Sequence, residues 1–367
     1  MTIGRFAPSP TGRMHLGNIF GALLSWLSAK SNGGRWLLRI EDLDPQRCRR
    51  EYGELLMDDL RWLGLDWDGT PIYQSNRADI YSAYLEQLRK QGVIYECHRT
   101  RADLLSTMAP HESDGRVVVH RESPISSTSS TSPTPALPEG ENPTPALPEG
   151  DSPTPALPTG RENYPGKTGL SGTAGNSRNS RISGETGNSG ETGHSGETGT
   201  ASPGALRVEV PHKKVSITDG HYGPLTVDLY EQVGDFIVRR KDGAYAYQLA
   251  VVVDDALTGV TEVVRGRDLL LSAPQQTFLA KLLDLPAPSY THFPLLINEA
   301  GQRLSKRDKS LDMSVLRYKY RAQEIIGYLG HLAGLQPKPT PMTPQQLLPL
   351  FSWGLVPRED IVVKLTD

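Results

Sequence analysis

Residues 122 to 203 constrain the chain more than any other stretch, because they are written in two repeats that cannot build a core. A ten-residue unit, PTPALPEGEN, starts at Pro133 and returns as PTPALPEGDS at Pro143 and PTPALPTGRE at Pro153. A six-residue unit follows from Ser183 to Thr200, running SGETGN, SGETGH, SGETGT. Proline every few residues favours extended polyproline backbone, and the Gly, Ser and Thr units hold too little apolar surface to offset the entropy lost on ordering. Short units without a stackable apolar face also argue against a solenoid. The stretch reads as a disordered surface insertion, and it explains a hydrophobic content of only 37% in 367 residues. Globular sequence flanks it on both sides, so the fold is interrupted and then continues.

The first ~110 residues alternate short apolar runs with amphipathic stretches, Phe20 to Lys30 and Tyr52 to Leu63 being the clearest helices, which suits an α/β sheet. Beyond Leu206, AYQLAVVVDD (Ala246 to Asp255) reads as an apolar strand ending in two loop-forming aspartates, and Ala322 to Leu335 as an amphipathic helix. The net charge of -3 carries no nucleic-acid signal by itself, although a local basic face stays possible. Two cysteines, Cys48 and Cys97, exclude a disulfide framework and suit a reducing compartment. Met1 to Ser9 has no leader-like apolar region, and no run of about 18 uncharged apolar residues occurs. A soluble, cytoplasmic monomer with no membrane association is expected.

Two segments carry chemistry. RFAPSPTGRMHLGN, Arg5 to Asn18, is a turn stiffened by two prolines that delivers a histidine to the start of an apolar helix, where unpaired N–H groups and the macrodipole favour phosphate. Far downstream, GQRLSKRDKS offers Lys306 as a mobile point charge for a polyphosphate. Each alone is weak: the first matches any capped loop with a surface histidine, the second any solvated basic loop. The GKT at Gly166 to Thr168 is no phosphate loop, because Arg161 stands where the upstream glycine is required.

Together, and in this order, the two segments resemble the HIGH and KMSKS signatures of class I aminoacyl-tRNA synthetases. RFAPSPTG and RIEDLDPQR, Arg39 to Arg47, narrow the resemblance to the glutamyl and glutaminyl branch. GLDWDG, YQSNR, GDFIVRRKDGAYAYQLAVVVDD and VVRGRDLL extend it through nearly every segment except the insertion. Within the branch the likeness is to the short paralogue that resembles the catalytic half alone, since only ~57 residues follow the lysine loop, too few for a helical anticodon-binding domain. The implied fold is a Rossmann-type nucleotide-binding core with an acceptor-binding insertion, itself broken by the low-complexity segment. On that basis residues 1–95 form the first half of the core, 96–121 start the acceptor-binding-like insertion, 122–203 are the repeats, 204–315 complete insertion and core, and 316–367 form a short helical end.

The resemblance implies tRNA-independent activation of L-glutamate by ATP, accompanied by Mg²⁺, and transfer to queuosine at the wobble position of tRNA(Asp). It places Arg5, Ala7 and Ser9 at the amino-acid end of the pocket, Glu41 against the α-ammonium, and Tyr247 and Arg265 on the side chain. A planar guanidinium suits a carboxylate because its paired donors match both oxygens, which makes Arg265 the specificity residue. His15, Gly17, Asn18, Ser305 and Lys306 are assigned to ATP, with His15 and Lys306 catalytic through positioning and charge stabilisation. Asp42 and Asp44 are structural. Relatives carry Cys-x-Cys and Tyr-x₃-Cys for zinc; here Cys97 stands with Arg99, and YPGKT offers Tyr164 and Thr168, so the zinc site is expected to be lost. A substitute set of Cys97, His98 and His111 is the alternative. Competing functions are an ordinary or truncated glutamyl-tRNA synthetase esterifying the 3′-terminal adenosine, and an idle tRNA-binding paralogue.

Overall fold

The computed structural model describes residues 1–99, 118–121, 203–304 and 311–363. In chain order the elements are β1 (Ile3–Phe6), α1 (Leu16–Ser31), β2 (Arg35–Ile40), α2 (Arg50–Leu63), β3 (Ile72–Tyr73), α3 (Ala78–Lys90) and β4 (Ile94–Cys97). After the undescribed stretch come β5 (Ala205–Val208), β6 (Lys214–Asp219), β7 (Gly223–Asp228), the single turn α4 (Leu229–Gln232), β8 (Phe236–Arg239), α5 (Tyr247–Leu257), β9 (Glu262–Gly266), α6 (Ser272–Leu282), β10 (Ser289–Phe293) and β11 (Leu296–Ile297). The last elements are α7 (Met313–Lys319), α8 (Ala322–Leu332), α9 (Pro344–Leu347) and β12 (Ile361–Val362).

Strands β1, β2 and β3 pair in parallel, and β9, β10 and β6 form a second parallel set edged by the β6–β7 hairpin. The Thr261 N–H donates to the Ile3 carbonyl at 2.9 Å, which lays β9 against β1 and makes the two sets one twisted platform. Strand order therefore reverses between β1 and β9. In an open α/β sheet the crevice beyond the carboxyl ends at such a reversal is where ligands bind.

Helix α1 is apolar all round, and residues such as Leu16, Ile19, Phe20, Leu23 and Leu27 are fully buried. A helix of that composition belongs inside a domain. It packs against β1, β2 and β9 on one side and α8 and α9 on the other. A second apolar cluster joins α3, α5 and α6 to the inner faces of β5 and β8.

AYQLAVVVDD is a helix, not the expected strand: Tyr247–Leu257 is α5. A short, continuous apolar run does not distinguish the two by period, and burial of Leu249, Ala250, Val252 and Val253 among α3 and α6 overrides the β-branched preference. The helices expected at Phe20–Lys30, Tyr52–Leu63 and Ala322–Leu335 are present as α1, α2 and α8.

The expected insertion lies almost wholly outside the described residues, but its flanks do not. Strands β4 and β5 pair directly, Ile94 opposite Val208 through Cys97 opposite Ala205. Val119 adds its carbonyl to the Asp235 N–H, and Asp235 in turn accepts from the Arg121 N–H at 2.7 Å. The sheet thus closes across the interruption. Replacing residues 122 to 203 by a short Gly/Ser linker is expected to leave the thermal unfolding midpoint unchanged within a few degrees, as read by calorimetry; loss of the cooperative transition would show that the repeats support the core.

Candidate active site

A cavity of about 470 Å³ opens at the reversal point of the sheet. It is lined by residues that follow the carboxyl ends of the strands: Ala7 to Ser9 after β1, Glu41 after β2, Gly266 and Asp268 around the end of β9, and Phe293 and Leu295 around the end of β10. The start of α1 forms its floor with His15, Gly17 and Asn18. Every site residue expected from the sequence among those described, namely Arg5, Ala7, Ser9, His15, Gly17, Asn18, Glu41, Tyr247 and Arg265, lines this one cavity. Ser305 and Lys306 lie outside the described residues.

The signature loop is fixed by its backbone. The carbonyls of Pro8 and Pro10 accept from the N–H groups of Glu41 and Arg49, both at 3.0 Å, so the loop after β1 is tied to the loop after β2. His15 is the extended N-cap residue of α1, and Asn18 returns its Oδ1 to the His15 N–H at 3.1 Å. Gly17 lies under the His15 ring, and a Cβ there would stand 3.1 Å from Cε1. Gly21, one turn on, would drive a Cβ to 2.9 Å from Phe293. These two glycines let α1 approach the cavity wall closely.

Beneath the cavity lies a buried ionic cluster that sequence spacing did not reveal. Arg39 donates to Asp255 Oδ1 at 2.5 Å and to Glu41 Oε1 at 3.3 Å, and its Nε stands 3.8 Å from Asp254. Asp255 also receives Arg5 at 3.4 Å. Asp254 is held by Gln74 at 2.8 Å, Tyr81 at 2.8 Å and Arg77 at 2.6 Å. Asp254 and Asp255, read from the sequence as loop-forming, are buried in α5 because three arginines from separate elements neutralise them. Burial pushes Asp255 up, but the Arg39 and Arg5 charges outweigh it and hold its carboxyl below the usual range. Glu41 goes the other way: burial raises it, and Arg39 and Arg5 offset this only in part. Asp42 and Asp44 do structural work, Asp42 accepting from the Ser75 N–H and hydroxyl and Asp44 from Gln46.

Arg265 is 6% exposed, and its guanidinium is bonded only to neutral groups. Nε donates to His292 Nε2 at 3.0 Å, one terminal nitrogen to Gln276 at 2.7 Å and Tyr247 at 3.5 Å, and the other to the Leu269 carbonyl at 3.2 Å. Its face lies 5.1 Å from the Tyr290 ring. Among the described residues no carboxylate stands within ion-pair distance of it. A buried cation with neutral partners can receive an anion.

Cys97 closes β4 and is buried, with Arg99 two residues on. Among the described residues no group of three or more His, Cys, Asp or Glu side chains is arranged to hold a metal. His111, Tyr164 and Thr168 lie outside them. Arginine cannot ligate zinc, so the relatives' ligand set does not fit here as it stands.

The model for tRNA synthetases class I (E and Q), catalytic domain, matches residues 2–131 and 170–337. The chain is 37% identical to a Glutamyl-Q tRNA(Asp) synthetase of Nitratidesulfovibrio vulgaris, over 99% of this chain and 95% of that protein. It is 36% identical to the protein of that name from Symbiobacterium thermophilum, over 98% and 95%. A glutamate tRNA ligase from Elizabethkingia meningosepticum, solved in complex with its amino acid, shares the fold with a TM-score of 0.66 at 22% identity, the match covering 98% of this chain and 66% of that one. The chain therefore belongs to the class I tRNA synthetases of the E and Q type, a family of ligases, among the glutamyl-Q tRNA(Asp) synthetases.

The raised Glu41 gives a signed expectation. Above its ordinary value of 4.5 the unfolded chain releases the Glu41 proton before the folded chain does, so folded-state stability falls as pH rises through that window. Glu41→Gln removes this loss. The stability difference between variant and unaltered protein is expected to shift in the variant's favour as pH rises above about 4.5 in urea titrations, while its apparent affinity for the amino acid drops. A difference that shrinks with rising pH would reverse the assignment.

Proposed function

We propose that this chain activates L-glutamate with ATP in the absence of RNA and transfers it to queuosine at the wobble position of tRNA(Asp). The observation that carries the amino-acid half is the buried Arg265 without an acid. It supplies an unspent positive charge to a side-chain carboxylate, whereas the neutral amide of glutamine would leave that charge unmatched. Glu41 supplies the opposite charge for the α-ammonium, and Arg5, Ala7, Ser9 and Tyr247 complete the amino-acid end. His15, Gly17 and Asn18, at the start of α1, take the nucleotide, which enters as its Mg²⁺ salt. Lys306, with Ser305, stabilises charge developing on the departing pyrophosphate. No covalent enzyme intermediate is required.

The RNA half rests on the relatives, which carry the name over nearly their whole length. Proteins recognise unstacked loop bases by taking them into clefts, and a wobble base in this cleft would bring a queuosine ring hydroxyl to the adenylate. The protein is proposed to act as a cytoplasmic monomer. Purified protein is expected to exchange pyrophosphate into ATP with glutamate alone. Radiolabelled glutamate should then appear, after nuclease digestion, in the anticodon fragment of aspartate tRNA, and only when that tRNA contains queuosine. Label on the 3′-terminal adenosine, or an absolute RNA requirement for exchange, would assign the ordinary glutamyl reaction instead.

Loss of the zinc site is proposed on Arg99. Metal analysis of the full chain is expected to find well under one zinc per molecule; a stoichiometric content would restore Cys97 and the neighbouring histidines as ligands.

A further inference from the structure

Arg265 does not hold its own position: four groups set it, and His292 among them has a carboxylate of its own. His292 on β10 is fully buried and turns Nε2 to Arg265 Nε at 3.0 Å and Nδ1 to Asp219 Oδ2 at 2.6 Å. A guanidinium has no lone pair to give, so His292 Nε2 must be the acceptor and the ring proton must sit on Nδ1, where it is donated to Asp219. We infer that Asp219 and His292 form a positioning relay that fixes the imidazole tautomer and thereby aims the Arg265 guanidinium at the substrate side-chain carboxylate. The inference rests on the proposed role of Arg265.

The relay explains why a neutral group was built into this place. A carboxylate directly on Arg265 would hold it as firmly but would cancel the charge the substrate needs. An imidazole transmits the orientation and leaves the charge in place, with Asp219 one ring further away. Burial, together with the nearby Arg265 charge, lowers the His292 basicity and keeps the ring neutral. Asp219 is itself locked: its Oδ1 accepts from the N–H groups of Tyr222 at 2.9 Å, His221 at 3.0 Å and His292 at 3.3 Å, leaving Oδ2 for the ring.

That lock makes Asp219→Asn a specific test. Three backbone donors would keep the amide oxygen at the Oδ1 place and turn the NH₂ toward His292 Nδ1. The ring would then shift its proton to Nε2, setting N–H against the Arg265 N–H. In pyrophosphate exchange the KM for glutamate is expected to rise about 10-fold or more, the scale of one buried donor left unsatisfied. KM for ATP and the unfolding midpoint should move little. In ¹⁵N-histidine spectra of the full chain, the His292 signal, assigned by its loss in His292→Gln, should report the Nδ1–H tautomer and become Nε2–H in Asp219→Asn. The double variant Asp219→Asn/His292→Gln should regain part of the affinity, because the Gln oxygen accepts from Arg265 without Asp219. If Asp219→Asn does not fold, comparison of His292→Gln with His292→Leu decides in its place, Gln being expected to bind glutamate more tightly. An Nε2–H or imidazolium His292 in the unaltered protein, an unchanged glutamate KM in folded Asp219→Asn, or equal losses in the Gln and Leu variants would overturn the relay. Arg265→Ala separates the two readings: an unchanged glutamate KM there sinks the role of Arg265 itself, while the spectra still decide the tautomer.

Discussion

The structure depends on Arg39 being charged where there is no water. Its guanidinium sits between Asp254, Asp255 and Glu41, and burial, which disfavours a charged arginine, is overcome by the fields of those acids. The two aspartates fall in the last turn of α5, where the helix macrodipole opposes negative charge, so α5 alone would not retain them. They persist because Arg5 comes from β1, Arg39 from β2 and Arg77 from the turn before α3. Buried ionic clusters add little net stability over an apolar core, but removing one member strands the others at several kcal/mol. What this cluster secures is placement: α5 joins the first and second halves of the catalytic sheet in one geometry, and Tyr247 at its N-terminus is held on the cavity wall.

The same cluster divides the cavity into unlike ends. Arg5 shares its charge with Asp255, and Glu41 shares its own with Arg39, so both are partly spent before any ligand arrives. Arg265 is not. A ligand with an ammonium at one end and a carboxylate at the other meets this distribution with opposite signs, and one lacking the second carboxylate does not.

Legibility in the sequence follows the distance over which each feature is encoded. The loop after β1, the loop after β2 and the start of α1 are local words whose prolines, glycines and caps act within a few residues, and Arg5, His15, Asn18 and Glu41, which they carry, line one cavity. The helix α5 was misread because Leu249 to Val253 are apolar on every side, which conceals the period that would separate helix from strand. The pair behind Arg265 is invisible for another reason. Asp219 and His292 stand on neighbouring strands β6 and β10, 73 residues apart, and only sheet pairing brings them together. Neither occurs in a local pattern of charged or metal-ligating residues, so nothing short of the fold marks them.

The described residues on either side of the lysine segment are anchored by backbone bonds. On one side Leu304 is buried and its N–H donates to the Leu296 carbonyl on β11 at 3.0 Å. On the other, Asp312 forms a bridge with His15, and the Met313 N–H donates to the Met14 carbonyl at 2.9 Å. Asp59 of α2 reinforces the second anchor by accepting from Arg13 of the signature loop at 2.7 Å and from Arg317 of α7 at 2.9 Å. Leu304 and Asp312 are therefore both fastened beside the cavity, Asp312 to the signature histidine itself. The first signature segment and the residues that follow the second are separated by about 290 residues in the chain, yet backbone bonds hold them together.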